Sequence, residues 1–227
     1  MSKLENPPQV PTCPAPWNLT GSGYVVALRM PQQVLDCECF VPDSLRPSRR
    51  GKIAYLMFVD YTSSDVGPYH ELLFIPGSFD FSGKRYLSIS KIYVSSEASV
   101  VNGQCNWGIP KAVCEFDVQY GADGDIDRVR ALLDGQVFAD LRFKAFGPRL
   151  PIHTAITPAG LHTLGQHWQG REYIYTPSAR GHTRFARLLS ATIDARHFPD
   201  IAKGKPLAAF RITDFRMRFP LSQITQL

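Results

Sequence analysis

The sequence predicts a mainly β fold, β-rich α+β in class: a curved antiparallel β-barrel or sandwich with a few short helices. Eighteen prolines and seventeen glycines are spread along the 227 residues, which favours many short elements joined by turns. Apolar and polar residues alternate with period two through much of the second half, as at Cys114, Phe116, Val118 and Tyr120. Segments with strand character number about ten, whereas helical periodicity is scarce. The composition, 44% hydrophobic and 20% charged, is that of a globular chain long enough to bury a core without disulfides.

Residues 1 to 16 are proline-rich and aperiodic, and read as an extended arm ahead of a single domain over 17 to 227. Trp17 to Tyr24 is expected to form a glycine-containing turn leading into a strand from Tyr24 to Arg29. A short helical or irregular piece follows Pro31 and ends before Pro42, and residues 43 to 51 form a surface loop. Ile53 to Tyr61 is almost continuously apolar, as a central strand is. A turn at Asp65 to Pro68 leads to a strand from His70 to Ile75, stopped by Pro76-Gly77; Arg85 to Val94 reads as one further strand.

Ser95 or Ser96 can N-cap a helix that begins at Glu97. That helix is kept short by Gly103, by Gly108 and by Pro110, which disfavours helix at Ile109. A strand over 113 to 120 follows, with a hairpin turn at Gly121 to Gly124. Ile126 to Leu133 and Gln136 to Phe146 pair across Asp134-Gly135, and a short helix is expected within Thr157 to Trp168. Arg171 to Tyr175, His182 to Asp194 and Leu207 to Phe219 complete the set. In the last strand Phe210 and Ile212 share one parity, but Phe215, Met217 and Phe219 share the other. A β-bulge is therefore expected between Thr213 and Asp214.

The net charge is +5, and residues 111 to 227 carry all of it, with sixteen basic against eleven acidic side chains. The arginines there (Arg171, Arg180, Arg184, Arg187, Arg196) stand singly, so a nucleic-acid partner is not expected. The five cysteines include no Cys-x-x-Cys and no histidine at zinc spacing from Cys37 and Cys39, so they read as buried hydrophobes in a reducing compartment. The N-terminus lacks an apolar leader and no stretch reaches the length of a membrane span. A cytoplasmic protein with no membrane partner is expected, and Asn18-Leu-Thr carries no meaning without a secretory signal.

Two charges enter apolar settings. Lys111 follows Trp107, Gly108, Ile109 and Pro110, and burial of an ammonium lowers its pKa towards a nucleophilic neutral amine. The alternative is an ammonium snorkelling to solvent from a corner of the chain. Glu71 precedes Leu72-Leu73-Phe74-Ile75 and is either a strand-end residue or a proton-handling partner of Lys111. The six histidines lack a Gly-x-Ser-x-Gly elbow, His162 and His167 are five rather than four apart, and no phosphate loop is present. No metal and no cofactor is expected.

Asn106-Trp-Gly-Ile-Pro-Lys111, preceded by Ser90-Lys-Ile-Tyr-Val-Ser-Ser and Ser99-Val-Val-Asn-Gly-Gln104, resembles the active-site segment of the acetoacetate decarboxylase-like superfamily. Trp17-x-Leu19-x-Gly21-x-Gly23-Tyr24 and Gly67-Pro68-Tyr69-His70-Glu71-Leu72 resemble two further landmarks, in the right order. The resemblance implies a cone-like antiparallel barrel with flanking helices, a homo-oligomer, and a Schiff-base lysine acting on a small-molecule keto acid or ketone. Position by position, it makes Lys111 the imine-forming lysine and Glu71 the acid/base carboxylate; Tyr69, Gln104 and Trp107 are then expected to line the substrate pocket.

The chain also departs from the pattern. Ala112 stands where the true decarboxylases have a second lysine, Gln104 and Cys105 where they have an Arg-Glu pair, and Thr20 to Gly23 contain no arginine for the substrate carboxylate. It is identified as a divergent member, not a true acetoacetate decarboxylase. Aldol, retro-aldol or dehydration chemistry remains open to such a lysine, as does a non-catalytic binder that keeps only the cavity.

Overall fold

The largest sheet is closed by its own connectivity. In the computed structural model, which describes residues 10–122, 125–156 and 158–227, strand β7 (Lys111–Val113) and strand β8 (Glu115–Gln119) are separated only by Cys114. They are nevertheless the two ends of a ten-stranded sheet, so the sheet must curl to bring its edges together. The strands between them, in spatial order from β7, are β6 (Lys91–Val94), β3 (Tyr69–Ile75), β2 (Ile53–Ser63), β1 (Trp17–Arg29), β14 (Lys205–Phe219), β13 (Ser178–Ile193), β10 (Gln136–His153) and β9 (Ile126–Leu133). All pairs are antiparallel except β6–β7, which are joined by helix α2 (Glu97–Trp107). A five-stranded sheet of β15 (Gln223–Gln226), β12 (Arg171–Tyr175), β11 (Leu164–Trp168), β5 (Lys84–Leu87) and β4 (Ser78–Phe81) packs nearby. A second helix, α1, covers Gln32–Cys37.

Period two sorts the strand residues into two cores. Phe58, Leu72 and Phe74 point into the barrel, where Tyr24 stacks on Phe143 at 4.2 Å. Tyr61, Tyr69, Leu73 and Ile75 point the other way, into a second core under α2 and the small sheet that also holds Trp17, Trp107 and Leu164. Glu71 and Tyr69 therefore share a face because they are two residues apart. Among the described residues no helix is long and apolar enough to cross a membrane, and no group of three or more His, Cys, Asp or Glu is placed to hold a metal ion.

Several elements differ from expectation. Trp17 to Tyr24 is not a turn: β1 runs unbroken through it. Gly21 and Gly23 are there because a side chain would collide with the backbone carbonyls of Asp60 and Phe58 on β2. Gly21→Ala is accordingly expected to cost about 3 kcal/mol, read as a lower midpoint in urea unfolding. Arg85 to Val94 is two strands, β5 in the small sheet and β6 in the large one, because Ser88 to Ser90 carry the chain from one sheet to the other.

The helix expected within Thr157 to Trp168 is instead strand β11, preceded by 3-10 turns at Thr154–Ile156 and Ala159–Leu161; Thr157 itself lies outside the described residues. Gly165 there packs against the Phe81 ring, with no room for a side chain. Strands β10 and β13 extend beyond their expected ends, to His153 and back to Ser178, and β4 and β15 were not anticipated. The register of β14 does shift at the expected bulge, where Asp214 adopts φ 48°. The expected turn at Gly121 to Gly124 and the first nine residues of the arm fall wholly or partly outside the described residues.

Candidate active site

Helix α2 and the turn after it set the position of Lys111. Ser96 is the N-cap, accepting from the Ser99 backbone N–H at 3.2 Å, while Ser95 instead accepts from the His70 backbone N–H. At the other end Gly108 takes the left-handed conformation, φ 63°, and donates to the Gln104 carbonyl, ending the helix. The chain reverses through Pro110 into β7, where Lys111 pairs with Ile92 of β6. Ser99, Gly103 and Trp107, spaced four apart, put one buried helix face towards the lysine.

The Lys111 side chain is 5% exposed and does not snorkel. Its Nζ donates to Glu71 Oε2 at 2.9 Å, to Ser99 Oγ at 2.9 Å and to Tyr69 OH at 3.5 Å, and lies 5.2 Å from the centre of the Tyr69 ring. The other oxygen of Glu71 accepts from Tyr61 OH at 3.2 Å. Burial works to lower the lysine pKa, but the Glu71 charge and the Tyr69 oxygen outweigh it, so the net direction is up. This corrects the expectation of a lowered pKa: at rest Lys111 is an ammonium, and its activation requires a proton acceptor. Burial, reinforced by Glu71, holds the Tyr61 phenol well above its usual range; burial also raises Tyr69, so both remain O–H donors.

The pair sits in the wall of a cavity of about 230 Å³ whose other walls are almost wholly apolar, among them Leu19, Met57, Leu73, Ile89, Trp107 and Met217. Tyr69 and Trp107 are among its lining residues. Trp107 is held by donation to the Pro220 carbonyl at 2.7 Å and by an edge contact with Trp17 at 4.9 Å. Gln104 does not line the cavity; its amide donates to the Lys111 carbonyl at 3.0 Å and pins the lysine backbone. Its place on the helix, away from the Ser99–Gly103–Trp107 face, is the reason.

Ser99 and Tyr61 were missed. The four-residue spacing of Ser99 from Gly103 and Trp107, and the two-residue parity of Tyr61 with Val59 and Met57, were the available signals. Gly103 also has a role invisible in composition: a Cβ there would lie 2.9 Å from Lys111 Cδ. Gly103→Ala is expected to leave the fold intact, since alanine favours helix by up to about 1 kcal/mol. Displacing the amine, however, is expected to slow any reaction at it by about 10²-fold. Thermal melting and the rate of adduct formation, measured side by side, check this.

Fold and site together define a β-barrel protein with a buried lysine–carboxylate pair at the wall of an apolar cavity. Residues 7–205 match the acetoacetate decarboxylase (ADC) family, and the chain belongs to it. Decarboxylase DEC1 of Cochliobolus heterostrophus is 26% identical over 187 residues, covering 78% of this chain and 72% of that protein. Acetoacetate decarboxylase from Legionella pneumophila superposes with a TM-score of 0.68 at 10% identity, over 98% of this chain and 92% of that one. The enduracididine biosynthesis enzyme MppR, complexed with the condensation product of pyruvate and imidazole 4-carboxaldehyde, gives 0.65 at 14% identity, over 94% and 90%. At these identities the two structures establish the shared fold.

Proposed function

We propose that the protein is a lysine Schiff-base enzyme acting on a keto acid or ketone, a carbon–carbon or carbon–oxygen lyase of decarboxylase, aldolase or dehydratase type. The observation that carries this is the 2.9 Å contact between Lys111 Nζ and Glu71 Oε2 at the wall of an apolar cavity. Glu71 takes one proton from the ammonium, leaving a neutral amine and a neutral acid. The amine adds to the substrate carbonyl carbon. The proton held by Glu71 passes to the carbinolamine oxygen, which departs as water, and a cationic imine remains beside the Glu71 carboxylate. Cleavage of a bond at the adjacent carbon sends its electron pair to the imine nitrogen, giving an enamine. The fragment lost is carbon dioxide from a 3-oxo acid or, in the retro-aldol direction, an aldehyde formed as its hydroxyl gives up a proton to the Glu71 carboxylate. Protonation of the enamine carbon and addition of water then release the ketone and restore the amine.

Membership of the family, the decarboxylase relative and the MppR structure bound to a pyruvate condensation product support this chemistry for the chain. Five free cysteines fit a reducing, cytoplasmic setting, and the exposed Ile224 of the C-terminal strand, with Leu221 and Leu227 on either side of that strand, fits assembly as a homo-oligomer.

The alternative is a non-catalytic small-molecule binder. One observation favours it: Glu71, Ser99 and Tyr69 already accept from the ammonium, as they would in a purely structural pair. Incubation of a ketone in oxygen-18 water separates the two. Imine formation and hydrolysis exchange the carbonyl oxygen at a rate lost in Lys111→Ala, whereas a binder leaves exchange at the uncatalysed rate.

A further inference from the structure

We infer that the cavity takes carbonyl compounds with a long apolar chain, and discriminates against small keto acids such as pyruvate and acetoacetate. Among the described lining residues, Lys111 is the one lysine, Glu71 the one carboxylate and His162 the one imidazole, and none is an arginine. The one lysine is already engaged by Glu71. A small keto acid presents mostly charge to this site, and among the described lining residues its carboxylate meets no arginine and no second lysine. Its desolvation is then poorly offset.

The apolar walls, by contrast, form a continuous track leading away from the amine. Ile92 pairs with Lys111, Leu73 with Ile92, and Met57 with Leu73, each on the next strand of the sheet. All of them line the cavity, and Leu19 and Met217 continue the lining on β1 and β14. Three strand steps make an apolar path of about 14 Å. The volume agrees with that length. An apolar cavity of about 150 Å³ holds a benzene ring, so 230 Å³ accommodates on the order of nine or ten heavy atoms. An alkyl chain along this track gains affinity with each buried methylene, whereas pyruvate and acetoacetate, with six and seven heavy atoms, leave the far end of it empty.

A lining without arginine among the described residues also suits loss of carbon dioxide from a long-chain 3-oxo acid. There the carbon–carbon electron pair moves to the imine nitrogen and the departing group becomes neutral, so the apolar walls oppose the starting carboxylate more than the products. The substrate class as a reactant rests on the imine chemistry proposed above; as a ligand it does not.

The test uses the purified full-length chain and 2-alkanones from four to fourteen carbons, with pyruvate and acetoacetate beside them. Dissociation constants are measured by calorimetry, and Lys111 adducts by borohydride reduction and mass spectrometry. Affinity is expected to rise about fourfold per methylene and to level off near ten carbons, with both keto acids at least 10²-fold weaker than 2-decanone. Met57→Trp, which obstructs the track, is expected to move the plateau to shorter chains. Affinity independent of chain length, or tightest binding of pyruvate or acetoacetate, overturns the assignment. Chain-length-dependent binding with no adduct upholds the ligand class and rejects the imine chemistry. Adducts confined to the small keto acids do the reverse.

Discussion

Lys111→Met is expected to abolish imine-dependent turnover, a loss of about 10⁴-fold or more, and to destabilise the fold at the same time. The substitution removes the nucleophile but leaves Glu71, whose side chain is 5% exposed, without its cation. Breaking a buried ion pair from one side costs about 3–5 kcal/mol, much of it the penalty of the stranded charge. Lys111→Met combined with Glu71→Gln is therefore expected to recover most of the stability and none of the activity. Urea unfolding of the two single variants and the double variant gives the coupling energy directly. A single variant as stable as the parent would mean that the pair is not buried as described. A variant that still turns substrate over would mean that the amine is not the nucleophile.

Glu71→Gln is expected to lower turnover by about 10²–10⁴-fold and to change the shape of the pH profile. In the parent, the ion pair and the reactive amine–acid pair hold the same number of protons, so the interchange between them does not depend on pH. Turnover should be flat through neutral pH. Glutamine cannot take the proton, so the variant must lose it to solvent, and its rate should climb about tenfold per pH unit up to the lysine pKa.

Stability follows the same linkage. The folded pKa of Lys111 is raised above 10.5, so the pair's contribution is fully present below the unfolded value and is lost as pH rises through the folded one. In Glu71→Gln the Glu71 charge no longer offsets burial, and the lysine pKa falls relative to the parent. The variant should then gain stability relative to the parent as pH rises from 7 towards 10. Urea midpoints at the two pH values check the sign.

The strand pattern and the lysine were legible in the sequence for different reasons. Alternation at Cys114, Phe116 and Val118 and the parity change across Asp214 are local, and local signals survive in a single chain. The closure of the sheet is legible only in part: nothing in Val113-Cys114-Glu115 announces that one residue separates its two edges. The turn assigned to Trp17 to Tyr24 failed because Gly21 and Gly23 answer to carbonyls on β2, a contact some forty positions distant in sequence.

The site divides in the same way. Lys111, Glu71, Tyr69 and Trp107 were carried by apolar neighbours and by resemblance. Ser99 looked like an ordinary helix residue until the helix face was fixed by Gly103 and Trp107. The direction of the lysine pKa could not be read at all, because it depends on a carboxylate forty residues away whose approach to 2.9 Å only the fold determines.

Borohydride reduction in the presence of acetoacetate, pyruvate, acetopyruvate and a long-chain 2-alkanone tests the central claim most directly, with peptide mass spectrometry to locate the adduct. A reduced secondary amine on Lys111, absent from Lys111→Ala and strongly diminished in Glu71→Gln, is the predicted result. An unmodified Lys111 under conditions where calorimetry detects bound ligand would contradict the Schiff-base account and leave the cavity as a binding site.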